Sequence, residues 1–140
     1  MRAQTVNGTV EKSALGFTLM HEHIFCDLRK PSQRNSFFDN HKEITIDNRF
    51  EVNYYQNKNL NNIILDEYEK AVDEINLFKK FGGNTIVELS TIGMNPEPKK
   101  LSQISKETGI NIILGTGHYT HDYLDEHNFF YLISNLDRID

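Results

Sequence analysis

Residues 84–114 contain two short apolar runs with a helical segment between them. Residues 85–89 and 111–114 are mostly apolar and rich in β-branched side chains, which favour strands. Residues 96–108 begin with prolines and are followed by Gly109, a pattern typical of a helix with a glycine C-cap. A strand, a helix and a strand in about thirty residues is the size of a βαβ unit, in which the strands run parallel. An α/β fold is therefore predicted.

The residues before this unit predict three more regular elements. Thr5 and Val6 stand beside Asn7-Gly8, which predicts a short β-hairpin within residues 1–16. Residues 17–20 form an apolar run that fits a buried strand. Apolar side chains then recur at helical spacing before Gly82, and they are Leu65, Tyr68, Val72, Ile75 and Phe78. The chain thus supplies about three strands of a parallel sheet.

Residues 27–64 follow no helical or strand period. They carry charges, many asparagines and five aromatic side chains, which are Phe37, Phe38, Phe50, Tyr54 and Tyr55. A connection of this length is generally a functional loop or a disordered segment. The aromatic side chains favour an ordered loop that packs against the rest of the domain.

The composition excludes several kinds of protein. With 140 residues, of which 38% are hydrophobic, the chain has the size of one domain and can bury a core. A net charge of −5 argues against nucleic acid as a partner. No apolar run is long enough to cross a membrane, and no signal peptide is visible. Cys26 is the one cysteine, so an internal disulfide is excluded and a cytoplasmic location is expected.

Two histidines lie two residues apart where the run of residues 17–20 ends. Side chains alternate along a strand, so His21 and His23 share one face while Glu22 points the opposite way. Two imidazoles on one face can bind one metal ion, and the carboxyl end of a strand is where α/β folds place their chemistry. The alternative is a pair of partly exposed histidines bonded to the backbone. Two ligands also fall short of a full coordination shell.

The segment that carries these histidines, residues 16–24 (GFTLMHEHI), resembles the first-strand signature of the phosphotriesterase family in the amidohydrolase superfamily. Three further segments resemble the same family in the same order. Residues 5–8 are similar to its N-terminal hairpin, residues 84–93 to its second strand, and residues 101–117 to the next helix and strand. The resemblance covers most of residues 4–124 and is weakest over residues 27–64.

This resemblance implies a (β/α)8 TIM barrel with a binuclear metal centre, usually two Zn²⁺ ions, although other divalent metals also serve. His21 and His23 correspond to the family's histidines that bind the more buried ion. Tyr119 follows a Gly-Thr-Gly turn and corresponds to a substrate-binding tyrosine of the lactonase-type members; the alternative is a ring that packs on the barrel rim. The implied activity is hydrolysis of a small lactone, carboxylic ester or phosphate ester by a metal-bound hydroxide.

The chain is shorter than such a barrel, which takes roughly 250 residues. In the family, the other metal ligands come from a lysine or glutamate of the fourth strand and from later histidines and an aspartate. We therefore expect residues 1–140 to form the N-terminal fragment of one hydrolase barrel domain. The alternative to a truncated zinc-dependent hydrolase is a catalytically inactive fragment with weak metal binding. Its unclosed sheet predicts association as a homo-oligomer or with a complementary fragment.

Five other residues are further candidates for the site. Glu88 lies within an apolar strand, so it is either a partner that supports a ligand histidine or a strand-end charge that reaches solvent or an arginine. Cys26 can reach a metal, but a small buried apolar role fits a single cysteine better. His118, His121 and His127 match no ligand position of the family and are expected to be solvated loop residues.

Overall fold

The computed structural model describes residues 1–34, 43–55 and 59–125. The centre of the fold is a parallel sheet of three strands, arranged in the order β3-β6-β7. These strands are β3 (Phe17–Glu22), β6 (Gly83–Glu88) and β7 (Asn111–Leu114). Two longer helices connect them, α4 (Tyr68–Lys80) before β6 and α5 (Pro98–Thr108) before β7. The predicted α/β class with a parallel sheet is confirmed.

An antiparallel hairpin of β1 (Arg2–Thr5) and β2 (Gly8–Glu11) precedes the sheet. Its turn is centred on Val6 and Asn7, and the following Gly8 takes a φ of +116°, which a side chain disfavours. The Val6 N–H donates to the carbonyl of Ile112 at 2.9 Å, so the tip of the hairpin is bonded to β7. A 3-10 turn (Lys12–Ala14) then leads into β3.

The segment between β3 and α4 is more regular than the sequence predicts. Its two ends pair as short antiparallel strands, β4 (Cys26–Asp27) and β5 (Ile64–Leu65). Between them lie α1 (Pro31–Arg34), α2 (Arg49–Tyr54) and α3 (Leu60–Ile63). Helices of four to six residues are too short to show a period in the sequence. The β4–β5 pair thus holds the two ends of this segment together.

The described aromatic residues of this segment do not pack as predicted, while Phe37 and Phe38 lie outside the described residues. Phe50 and Tyr54 are largely exposed, and their rings stack on each other with centroids 6.0 Å apart. Tyr54 also meets Tyr55 edge to face at 4.9 Å. The aromatic side chains of α2 thus contact one another and remain at the surface.

Helix α4 begins at Tyr68, and not at Leu65 as its apolar spacing predicts, because Leu65 pairs with Cys26 in β5. Helix α5 begins at Pro98 and ends at Thr108, and the following Gly109 has the left-handed φ of +74° expected of a C-cap. Lys79, in the last turn of α4, donates to the carbonyl of Thr108 at 2.6 Å and ties the two helix ends together. None of the helices in the described ranges is long and apolar enough to span a membrane.

The core lies between the sheet and the two longer helices. Its buried side chains come from α4, α5, β6, β7, the turn after β3 and the turn before β7, and they are Phe25, Val72, Ile75, Ile86, Leu101, Ile104, Ile110 and Ile112. The Phe25 ring stacks on Tyr68 with centroids 6.3 Å apart. The backbone two residues after His23 is therefore anchored in the core.

Strand β3 is one of the two outer strands of the sheet. It pairs with β6, and in the described part of the chain no strand pairs with its other edge. Phe17 is 63% exposed and Met20 is 70% exposed. The strand that carries the histidine motif thus borders solvent along an open edge.

Candidate metal site at the carboxyl end of the sheet

The loops that follow the three parallel strands meet at one edge of the sheet. After β3, the Asp27 N–H donates to the carbonyl of Met94, which follows β6, at 2.9 Å. After β7, the Tyr119 N–H donates to the carbonyl of Ile92 at 2.7 Å. Because parallel strands end on the same side, side chains from distant parts of the sequence come together here, as in α/β enzymes.

The two histidines lie side by side at this edge. His21 is in β3 and His23 directly follows the strand. Their ring centroids are 5.5 Å apart, and the rings meet edge to face at 74°. His21 is exposed and the His23 side chain is 30% exposed, so both are accessible from solvent. The structure thus brings together the pair that the alternating strand pattern predicts.

Glu88 is fully buried behind the histidine pair. Its carboxylate accepts hydrogen bonds from the backbone N–H of Ile24 and, at 2.7 Å, from that of Ser90. Glu88 Oε1 lies 3.8 Å from Nδ1 of His23. Full burial rules out the interpretation in which this carboxylate reaches solvent at a strand end.

Ser90 is a site neighbour that the sequence alone did not indicate. Its side chain is buried, and its Oγ lies 3.0 Å from Nδ1 of His23. Residues 88 and 90 are two apart at the end of β6, so the alternation of side chains that paired His21 with His23 also applies to them. That spacing is the signal that identifies Ser90 once Glu88 is considered.

Imidazole nitrogens are ligands that zinc prefers, and the adjacent rings of His21 and His23 fit two positions of its coordination shell. Within residues 1–34, 43–55 and 59–125, no group of three or more His, Cys, Asp or Glu side chains is arranged to hold a metal ion. His118 and His121 are described and join no such group, while His127 lies outside the described residues. The histidine pair therefore offers two candidate ligands, and the described residues bring no third one to them.

Tyr119 lies in the loop after β7, next to the loop after β6. Its ring meets Tyr123 edge to face with centroids 5.0 Å apart. The side chain is 38% exposed, so part of the ring faces solvent. These contacts are compatible both with a substrate-binding residue and with a ring that packs on the rim.

Cys26 is buried, and burial raises the pKa of its thiol to about 11. The side chain sits in the β4–β5 pair, where Cys26 faces Leu65. Its surroundings favour the apolar packing role over a ligand role.

An open cleft of about 1320 Å³ lies between β3 and α4. Its lining includes His23, Glu22 and apolar side chains such as Leu77 and Phe78. His21 and Tyr119 are not among the lining residues. The cleft therefore touches one member of the histidine pair and is distinct from the loop that carries Tyr119.

Comparison with known proteins identifies the class. A model of the phosphotriesterase family matches residues 1–132. The chain belongs to the phosphotriesterase family. An N-acetyltaurine hydrolase of Dictyostelium discoideum is 35% identical over 142 residues, an alignment that covers 84% of this chain and 38% of that protein. A phosphotriesterase-related protein of Nematostella vectensis is 38% identical, with 84% of this chain and 35% of that protein covered.

The chain is also similar to solved structures, again over only part of their length. A resiniferatoxin-binding protein from Rhodobacter sphaeroides is similar with a TM-score of 0.76 and 34% identity, over 90% of this chain and 36% of that one. A lactonase from Listeria monocytogenes is similar with a TM-score of 0.59 and 27% identity, over 84% of this chain and 28% of that one. In each of these four alignments, the chain spans less than two fifths of the length of its relative.

Proposed function

We propose that residues 1–140 form the N-terminal part of a zinc-dependent hydrolase domain with a (β/α)8 barrel. The observation that carries this proposal is the adjacent pair His21 and His23 at the carboxyl end of β3, with the buried Glu88 behind it. The proposed substrates are small lactones, carboxylic esters or phosphate esters, and the proposed location is the cytoplasm. The relatives named N-acetyltaurine hydrolase add an N-acyl amide to the substrates to be tested.

In this proposal, His21 and His23 hold one of two metal ions, and the remaining ligands come from outside the described residues. A bound zinc ion supplies Lewis-acid chemistry, since it lowers the pKa of water and polarises the bond under attack. Glu88 orients His23 from behind, because its carboxylate lies 3.8 Å from Nδ1. Tyr119 contacts the substrate from the loop after β7.

Zinc content tests the ligand assignment. We expect the purified chain to bind zinc through the histidine pair. His21→Ala or His23→Ala is expected to weaken binding by about 100-fold or more, because loss of a ligand costs more than loss of a hydrogen-bond partner behind a ligand, which typically costs about 10–100-fold. Affinity is measured by competition with a chromophoric chelator, and zinc per chain by elemental analysis. His121→Ala, which removes an exposed histidine in the loop after β7, is the matched control.

Unchanged zinc affinity in both histidine variants would refute the assignment of these residues as ligands. Hydrolysis is measured in the same preparations with a lactone, N-acetyltaurine, a carboxylic ester and a phosphotriester. Turnover that disappears in His21→Ala and His23→Ala but persists in His121→Ala supports the zinc-dependent hydrolase. Binding of two zinc ions with turnover by the 140-residue chain alone would refute the inactive-fragment alternative.

The open edge of β3 favours a second candidate function, a catalytically inactive module that acts only after association. Phe17 and Met20 lie exposed on that strand, and the strand's outer backbone groups offer hydrogen bonds to another strand. The proposed partner is a second copy of this chain or a complementary fragment that supplies the missing strands.

We expect the isolated chain to show concentration-dependent self-association in sedimentation velocity. A lysine on an edge strand opposes pairing, so Met20→Lys and Phe17→Lys are expected to shift the population toward monomer. Phe50→Lys changes a still more exposed aromatic residue on α2 and is expected to leave association unchanged. A monomeric wild-type chain with a sharp, reversible thermal transition would contradict this expectation.

A further inference from the structure

A continuous set of buried contacts lies behind the histidine pair. The carboxylate of Glu88 accepts from the N–H of Ile24, which follows His23, and from the N–H of Ser90. One carboxylate thus ties the turn after β3 to the turn after β6. This arrangement fixes Ser90 Oγ 3.0 Å from Nδ1 of His23.

We propose that Ser90 is a positioning residue, which together with the Glu88 carboxylate fixes the ring orientation and the neutral tautomer of His23. In a neutral imidazole one nitrogen carries the proton and the other carries a lone pair. Nδ1 of His23 faces Ser90 Oγ, with Glu88 Oε1 3.8 Å away on the same side. A carboxylate on that side favours the proton on Nδ1, which then donates to the serine oxygen. Nε2 keeps its lone pair.

In this tautomer Nε2 of His23 is available to bind a metal ion. The two ring nitrogens point in divergent directions, so when Nδ1 faces Ser90 and Glu88, Nε2 faces away from them. His21, whose ring centroid lies 5.5 Å from that of His23, completes the pair. Ser90 thereby acts on metal binding through His23. This effect on metal binding rests on the proposed function, whereas the tautomer of His23 does not depend on it.

Nitrogen-15 NMR of the metal-free 140-residue chain tests the tautomer directly. At a pH where neutral imidazole predominates, we expect His23 to show the Nδ1–H form, with its signals assigned by their loss in His23→Ala. Ser90→Ala is expected to shift His23 toward the Nε2–H form, and Ser90→Thr, which keeps the hydroxyl, to preserve the original spectrum. Ser105→Ala is the matched control, because Ser105 is also buried and donates to the carbonyl of Ile110 at 2.8 Å.

Zinc affinity provides the second measurement. Loss of a hydrogen-bond partner of a ligand histidine generally weakens metal binding, and we expect a decrease of about 10-fold for Ser90→Ala with recovery in Ser90→Thr. A wild-type His23 in the Nε2–H form, or a His23 spectrum unchanged by Ser90→Ala, would overturn the proposal. If Ser90→Ala shifts the tautomer as expected but neither the wild-type chain nor any variant binds zinc, the role of Ser90 is supported and the metal function is refuted. Failure of the Ser90 proposal can thus be distinguished from failure of the proposed function.

Discussion

Replacing Glu88 with glutamine is expected to lower the free energy of unfolding by about 2–4 kcal/mol. The carboxylate is fully buried and accepts two backbone N–H groups, from Ile24 and Ser90. A glutamine side chain has one carbonyl oxygen and one NH2 group, so one of the two backbone donors would face another donor. A buried N–H without an acceptor carries the full desolvation penalty.

Urea unfolding followed by circular dichroism measures this loss. All variants are compared at one protein concentration, because any association would make the midpoint depend on concentration. Glu74→Gln is the control, since Glu74 is exposed on α4 and its replacement is expected to change stability by no more than about 0.5 kcal/mol. A Glu88→Gln variant as stable as Glu74→Gln would show that the buried carboxylate does not hold the two turns together.

Truncation of Ile104 is expected to lower the free energy of unfolding by about 2–5 kcal/mol. Ile104 on α5 is fully buried in the core between the helices and the sheet. Replacement by alanine removes apolar surface from the core and leaves a cavity that close-packed neighbours fill only partly.

The same denaturation experiment provides graded controls for Ile104. Ile104→Val removes one methylene group, and a loss of about 0.5–1.5 kcal/mol is expected. Ile46→Ala makes the same change as Ile104→Ala at a position that is 82% exposed, and a change within about 0.5 kcal/mol is expected. Equal losses for Ile46→Ala and Ile104→Ala would contradict the assignment of Ile104 to the core.

The three parallel strands could be predicted because their signals are local. Residues 111–114 form β7 as predicted, and Gly109 ends α5 as its position indicates. Leu65 was assigned to the wrong element, because its apolar spacing matches α4 while its pairing partner Cys26 lies 39 residues earlier in the chain. Local periodicity cannot predict the pairing of Leu65 with Cys26, because only the tertiary fold brings the two residues together.

In the candidate site, too, local features could be predicted and contacts between distant residues could not. The adjacency of His21 and His23 follows from strand alternation alone. The sequence leaves open whether Glu88 supports a ligand histidine or is a strand-end charge that reaches solvent or an arginine. Its full burial excludes solvent, and its role behind His23 stays a prediction. Ser90 was missed because its contact with His23 spans 67 residues. The role of Tyr119 stays a prediction.

The bond between the hairpin tip and β7 has a consequence for folding during synthesis. Val6 and Ile112 are 106 residues apart (112 − 6), yet the Val6 N–H donates to the Ile112 carbonyl. A ribosome that adds roughly 5–20 residues per second separates their emergence by about 5–20 s. Throughout that interval the hairpin depends on its own turn, in which the Thr5 hydroxyl donates to the carbonyl of Gly8 at 2.7 Å. The hairpin thus leaves the ribosome well before the strand to which its tip is bonded.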